Sequence, residues 1–225
     1  MNLEDNHLDV LIKAQKAQGI TDRDLIRMAG ITVPDLNNLR AGRRVLKFTT
    51  PFADMTVNHY LVWDPKSLKA VAFDAGTDAD PMFAALDRHK LTLEKILLTH
   101  SHGDHILELD RIREKTKADA FTPEAEPVDG CQPVSNAKRF KVGALSIMAH
   151  TVPTVYEIKG LEAPLAVVGD VLFAGSVGGI RSRYRPALEA IRAGVFSLPP
   201  ETILLPGHGP LTTVSHELAH NPFFP

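Results

Sequence analysis

Cysteine is almost missing from this chain: Cys131 is the only one in 225 residues. A framework of internal disulfides is thereby excluded, and a lone thiol fits a reducing compartment. Long apolar runs are missing as well, so no stretch has the length of a membrane-spanning helix. The start, Met1-Asn2-Leu3-Glu4-Asp5, is acidic where a secretory signal would be basic. These absences point to a cytoplasmic protein without membrane contact. Nor is there an excess of either charge. Lys and Arg number 25 against 27 Asp and Glu, a formal net charge of -2, so no overall field draws the molecule to nucleic acid or anionic lipid. Apolar side chains are plentiful instead. A hydrophobic content of 44% over this length can bury a full core, excludes a disordered or collagen-like chain, and leaves room for one large domain with a small appendage.

Residues 1–44 read as that appendage. Leu8, Leu11, Ile12, Ala14 and Ala17 have the spacing of an apolar helical face that stops at Gly19. Thr21-Asp22-Arg23-Asp24 opens a second helix with a capping-box-like device, and Thr32-Val33-Pro34-Asp35 opens a third, with Pro34 harmless in a first turn. The spacing resembles the helix-turn-helix of phage repressors, with Pro34 to Arg40 as recognition helix. Asn37, Asn38 and Arg40 would then meet bases or phosphates, and Arg43 and Arg44 the backbone. Seven basic residues against six acidic ones give this segment little electrostatic pull on DNA. A packing extension, or a homodimer contact through these helices, is the favoured reading over DNA binding.

From Val45 the texture changes to strands, and 45–225 read as one domain. Val45 to Phe48, Val57 to Trp63 and Lys69 to Phe73 are rich in β-branched and aromatic residues, with a turn at Asp64-Pro65. Asp80-Pro81 opens a helix with Met82, Phe83, Ala85 and Leu86 on its apolar side. Lys95 to Leu98 is a strand. After it comes Thr99-His100-Ser101-His102-Gly103-Asp104-His105, and then a helix of about three turns.

Three imidazoles and a carboxylate packed this tightly are costly as a fold requirement, because His and Asp are poor core residues unless paired or coordinating. Metal binding is the natural reading. If the strand runs on to His100, then His100 and His102 face the same way, while Asp104 and His105 follow a glycine bend and aim elsewhere. One short segment could feed two neighbouring ions. Later strands end on further groups of this kind: Leu145 to Ala149 on His150, Leu165 to Gly169 on Asp170, and Thr202 to Leu205 on Pro206-Gly207-His208. Functional groups collect at strand ends because the loops there converge on one edge.

This pattern resembles the metallo-β-lactamase superfamily over about residues 46–225. Asp74-Ala75-Gly76, Gly169-Asp170-Val171-Leu172-Phe173, Pro206-Gly207-His208-Gly209-Pro210 and Asn221-Pro222-Phe223-Phe224 look most like glyoxalase II and its short bacterial relatives. The resemblance implies an αββα four-layer sandwich. It implies two divalent ions, one on His100, His102 and His150 and one on Asp104, His105 and His208, with Asp170 bridging. Zinc suits these ligands best, and iron or manganese also fits. Ions roughly 3.5 to 4 Å apart can share a water and lower its pKa toward neutrality. A metal-bridging hydroxide would then attack the carbonyl of a thioester, ester or lactone, with Asp104 and Asp170 as the catalytic carboxylates and a thiolate or alkoxide leaving.

Asp74 can orient a ligand imidazole or simply cap a turn. His7, His59, His89, His216, His220 and Cys131 fall outside the ligand pattern and read as structural or surface groups. Departures from the family pattern lie near the metals. The usual H-T-x-G becomes His150-Thr151-Val152-Pro153-Thr154, small glycines give way to Ile106-Leu107-Glu108, and a G-R-x-D pattern is missing from Ser176 to Tyr184. The helical domain with which glyoxalase II contacts glutathione does not follow, so a different small carbonyl substrate is expected. Two alternatives remain open: an iron oxidoreductase resembling persulfide dioxygenases, and a ligand-sensing DNA-binding regulator.

Overall fold

A computed structural model describes residues 44–161, 163–179 and 184–224, besides Gly19 and Thr21. The helices expected before residue 44, and with them the DNA-binding and dimerisation readings, lie outside the described residues.

The first half builds one sheet. Strands β1 (Val45–Phe52), β2 (Met55–Trp63) and β3 (Lys69–Phe73) are antiparallel neighbours. Helix α1 (Asp80–His89) returns the chain to β4 (Thr92–Leu97), parallel to β3. Short helix α2 (Gly103–Ile106) and α3 (Leu109–Thr116) then lead to parallel strands β5 (Asp119–Pro123) and β6 (Gln132–Val134). Strand order in this sheet is sequential from β1 to β6.

The second half builds its counterpart. Strands β7 (Arg139–Val142), β8 (Leu145–Thr151), β9 (Thr154–Lys159) and β10 (Leu165–Gly169) form an antiparallel meander. A small ribbon, β11 (Leu172–Phe173) and β12 (Ser176–Val177), precedes α4 (Tyr184–Gly194). Strand β13 (Ile203–Pro206) then pairs parallel to β10, and β14 (Thr212–Thr213) closes the edge before α5 (Val214–His220).

Alternation along the strands decides the layers. In the first sheet Tyr60, Val62, Val71, Phe73 and Leu97 turn inward against Ile147, Tyr156, Ile158, Val167 and Leu205 of the second. Their neighbours Leu61, Ala70, Ala72 and Ile96 face outward under Met82 and Phe83 of α1 and Ile112 of α3. On the far side Val155, Ala166, Val168 and Leu204 pack under Ile191 of α4 and Val214 of α5, with Phe224 closing the edge. The result is the expected αββα sandwich. No described helix is long and apolar enough to cross a membrane.

Three local expectations change. Strand β4 stops at Leu97, short of His100, because the next free N–H, that of Thr99, donates to the Asp74 carboxylate at 2.7 Å instead of to a neighbouring strand. The helix after His105 breaks in two, because the His105 carbonyl accepts from the N–H groups of Ala75 and Gly76 at 2.7 and 3.3 Å and is lost to the next helical turn. His150 does not follow β8 but sits inside it, paired with Val155 of β9.

Met82 is fully buried beneath α1, away from the strand ends that carry the histidines. Met82→Ala is expected to lower unfolding free energy by about 2 to 5 kcal/mol, read by urea denaturation, while leaving metal content intact.

Candidate metal centre

The histidine motif leaves β4 at the edge where the two sheets meet, and its geometry begins with Asp74. This residue ends β3 at φ 59°, turning its carboxylate back into the protein. It is 1% exposed, and a carboxylate so buried needs partners. It accepts from Thr99 N at 2.7 Å, from Thr99 Oγ1 at 2.9 Å and from His105 Nδ1 at 2.8 Å. The last bond puts the His105 proton on Nδ1 and aims the Nε2 lone pair outward. Thr99 gives its single hydroxyl proton to Asp74 and so accepts from His100 Nδ1, 2.9 Å away. His100 therefore presents Nε2. The Thr56 carbonyl, 2.6 Å from His208 Nδ1, fixes that ring in the same sense.

The exposed nitrogens converge with two carboxylates. His105 Nε2 lies 3.6 Å from Asp104 Oδ2 and 3.3 Å from Asp170 Oδ1, and His208 Nε2 lies 3.4 Å from Asp104 Oδ2 and 3.5 Å from Asp170 Oδ2. Ligands at about 2.0 to 2.1 Å around a tetrahedral ion stand about 3.4 Å from one another, so the spacing suits a metal. The side-chain atoms His105 Nε2, His150 Nε2 and Asp170 Oδ1 are buried and have no hydrogen-bond partner. Such orphaned atoms fit an ion-binding role. Asp104, His105 and His208 form one set whose ligand atoms all lie within 4.8 Å of one another, and His100, His105 and Asp170 form a second.

Glycine makes this closeness achievable. A Cβ on Gly207 would stand 2.2 Å from Asp170 Oδ1 and 2.7 Å from His105 Cε1, and one on Gly169 would stand 2.6 Å from Thr99 Oγ1. The Gly207-His208 pair in the sequence is thus a steric requirement of the site.

His100 and His102 meet by a different route from the expected strand alternation. Both lie in the loop beyond β4, with His100 Nε2 and His102 Nδ1 2.9 Å apart. His150 does not join them. Its ladder partner places it on the face that carries Val155 and Glu157, opposite the inward Ile147, Ala149, Tyr156 and Ile158. Its Nε2 lies 3.8 Å from Glu157 Oε2, and His150 belongs to neither set of converging ligand atoms. The structure therefore brings together six of the seven residues that the resemblance implied.

Electrostatics of the bare site follow from this packing. Burial opposes the charged form of His105, yet Asp74 and Asp170 outweigh it and push the pKa up to about 10. Burial likewise opposes charge on Asp170, but bonds from His105 and His208 hold its carboxyl well below the usual range. The Asp170 bond raises His208, whereas burial lowers His100. His59, outside the ligand pattern, is buried behind Gly76 and stacked on Phe48 at 5.1 Å, and burial lowers its pKa to about 4. It stays neutral and structural. Cys131 packs half-buried against the outer core and carries no ligand role.

Beside the ligands a cavity of about 720 Å³ is lined by His102 and Asp170 and by Val152, Pro153, Val171, Gly178, Gly179, Ala187, Ala190 and Ile191. Sequence reading placed His102, Asp170, Val152, Pro153 and Val171 near the metals but did not single out Ala187, Ala190 and Ile191 of the wall, nor Thr56, which contributes only a backbone carbonyl that any residue could supply.

The metallo-beta-lactamase superfamily model matches residues 54–145. A probable metallo-hydrolase of Bacillus subtilis, YqgX, is 30% identical over 195 residues, covering 73% of this chain and 90% of its own. The chain belongs to the metallo-beta-lactamase superfamily. Hydroxyacylglutathione hydrolase GloC of Haemophilus influenzae is 26% identical over 203 residues, 77% of this chain and 95% of that protein. Among solved structures, the BLEG-1 B3 metallo-beta-lactamase superposes with a TM-score of 0.69 at 29% identity, covering 80% of this chain and 99% of its own. A di-iron-bound form of TTHA1623 gives 0.60 at 25% identity, covering 78% and 99%.

Two outcomes follow from the Asp74 contacts and the charges. Asp74→Ala is expected to weaken zinc binding by about 10- to 100-fold, measured by competition with a chromophoric chelator. In the metal-free protein the raised His105 pKa contributes stability that is full below its ordinary 6.5 and lost as pH rises through about 10. The depressed Asp170 pKa contributes above its ordinary 3.8 and is lost as pH falls further. Thermal unfolding of chelated protein should therefore show its highest midpoint between these limits. Zinc affinity should climb with pH across the same range, because the ion displaces the His105 proton.

Proposed function

We propose that this chain is a metal-dependent hydrolase that cleaves a thioester, ester or lactone in the manner of short glyoxalase II-like proteins. The observation that carries this reading is the convergence of Asp104, His105, Asp170 and His208 beside an open cavity, with two of their buried polar atoms unpartnered. The named activities of YqgX and GloC support it.

A divalent ion held by these residues would lower the pKa of a bound water toward neutrality and polarise a carbonyl oxygen. The rest falls to the protein. Asp74 and Thr56 keep His105 and His208 in the tautomer that donates electrons. Asp170, 27% exposed at its side chain and lining the cavity, can orient the water by accepting its hydrogen bond, and the water's proton passes to the leaving thiolate or alkoxide. A bond then forms from water oxygen to carbonyl carbon, and the carbon–sulfur or carbon–oxygen bond breaks with release of a thiol or alcohol. Val152, Pro153, Val171 and Ile191 give the acyl group an apolar wall and help to exclude bulk water. No described wall residue is cationic.

The oxidoreductase alternative would place one iron on the first-site residues His100, His102 and His150, and oxygen consumption with a persulfide by iron-loaded protein would favour it over hydrolysis.

The test is a panel of thioesters, lactones and β-lactams offered to zinc-, iron- and manganese-loaded protein. Turnover of at least one member is expected, abolished by chelation and lowered at least about 100-fold in Asp170→Ala. Silence across the whole panel with metal bound would overturn the assignment.

A further inference from the structure

The cavity beside the metal centre has two chemically different parts. His102 and Asp170 line it where the ligands converge, and the other described side chains of its wall carry no hydrogen-bonding group. The β8–β9 turn gives Val152 and Pro153, and α4 gives Ala187, Ala190 and Ile191.

Small residues on the helix create the space. Ala187, Ala190 and Ile191 stand at i, i+3 and i+4 and so share one face of α4, while Arg185, Glu189 and Arg192 are exposed. Ile191 is buried against the outer core, which leaves the two alanines to set how far the cavity reaches toward the helix. The turn meets the end of the same helix, since a Cβ on Gly194 would stand 3.0 Å from Pro153 Cδ. Beside that contact Val152 is 82% exposed, an apolar surface that a bound ligand can cover.

Size and polarity select the occupant. A volume of about 720 Å³ lies within the range of about 300 to 1,000 Å³ that takes a drug-sized ligand, so an acetyl or lactoyl group would leave most of it to water. A thiol carrier built from amides would strand its polar groups on such a wall, whereas an alkyl chain has none to strand.

We infer that the cavity is an acyl-chain subsite. The substrate carries an aliphatic acyl group of about six carbons or more, with its carbonyl at Asp170 and its chain along Ala187 and Ala190, which set the length accepted. This inference rests on the hydrolase reading above and names the half of the substrate that the apolar wall recognises.

The test uses full-length, zinc-loaded protein and N-acetylcysteamine thioesters with acetyl, butanoyl, hexanoyl and octanoyl groups. The octanoyl-to-acetyl ratio of kcat/KM should exceed about 50, since each buried methylene is worth about fourfold. Ala187→Leu and Ala190→Leu should each lower that ratio at least about 10-fold through a raised octanoyl KM, with folding checked by circular dichroism. Glu189→Leu, on the exposed side of α4, should leave the ratio as it is. Calorimetry with octanoate and acetate reads the subsite without turnover, and octanoate should bind at least about 10-fold more tightly in the unaltered protein. A ratio near or below one, or a ratio that neither folded leucine variant lowers, would overturn the subsite and leave the hydrolase reading standing. Turnover of no thioester, lactone or β-lactam, with octanoate still preferred, would overturn the hydrolase reading and support the subsite. Neither turnover nor an octanoate preference would overturn both.

Discussion

The buried hydrogen bond from His105 to Asp74 is the constraint on which the rest of the site depends. One carboxylate, 1% exposed, receives three donors from two separate turns and so joins the end of β3, the end of β4 and the first turn of α2. Burying that charge is unfavourable without such partners, and each partner gains orientation from it. His105 is fixed directly, and His100 through the Thr99 hydroxyl. The same contact explains two departures from regular structure. Strand β4 ends where Thr99 turns to the carboxylate, and the helix after the motif breaks where the loop behind Asp74 takes the His105 carbonyl.

The second sheet must be locked to the first for Asp170 and His208 to arrive in register. Buried polar bonds between the sheets do this at the edge nearest the site. Tyr60 Oη donates to the Pro206 carbonyl at 2.6 Å, Asn58 Nδ2 to the same carbonyl at 3.0 Å, and Tyr156 Oη to the Leu98 carbonyl at 2.7 Å. The Asn58 N–H adds a bond to Gly207 O at 2.7 Å. Apolar burial between sheets is strong but not directional, whereas these bonds set the sliding position. Gly207 completes the fit, since any side chain there would displace Asp170 or His105.

The β8–β9 hairpin shapes one flank of the site. Its two-residue turn places the Val152-Pro153 tip on one flank of the cavity as apolar wall, with His150 paired to Val155 in the ladder just before it.

Much of this could be read from residue order. The strand and helix pattern from Val45 onward, the spacing of His100, His102, Asp104 and His105, and the arrival of Asp170 and His208 at strand ends follow from local periodicity and from chemistry that tolerates few substitutions, and the sandwich was implied by the family resemblance those residues carry. Even Asp74 was legible as a group that could orient an imidazole. His150 was not. Its neighbours in the sequence make it a strand-end histidine, and only the pairing of β8 with β9 shows that the ladder continues past it and turns its ring to the outer face. Cross-strand register is a property of two segments at once, so a single segment cannot declare it. The same holds for Thr56, whose contribution is a backbone carbonyl brought near His208 by sheet packing alone. Sequence by itself determined which chemical groups this protein carries and the fold that gathers them. The tertiary structure decided which of those groups meet, because convergence depends on register and on the direction each side chain leaves its strand.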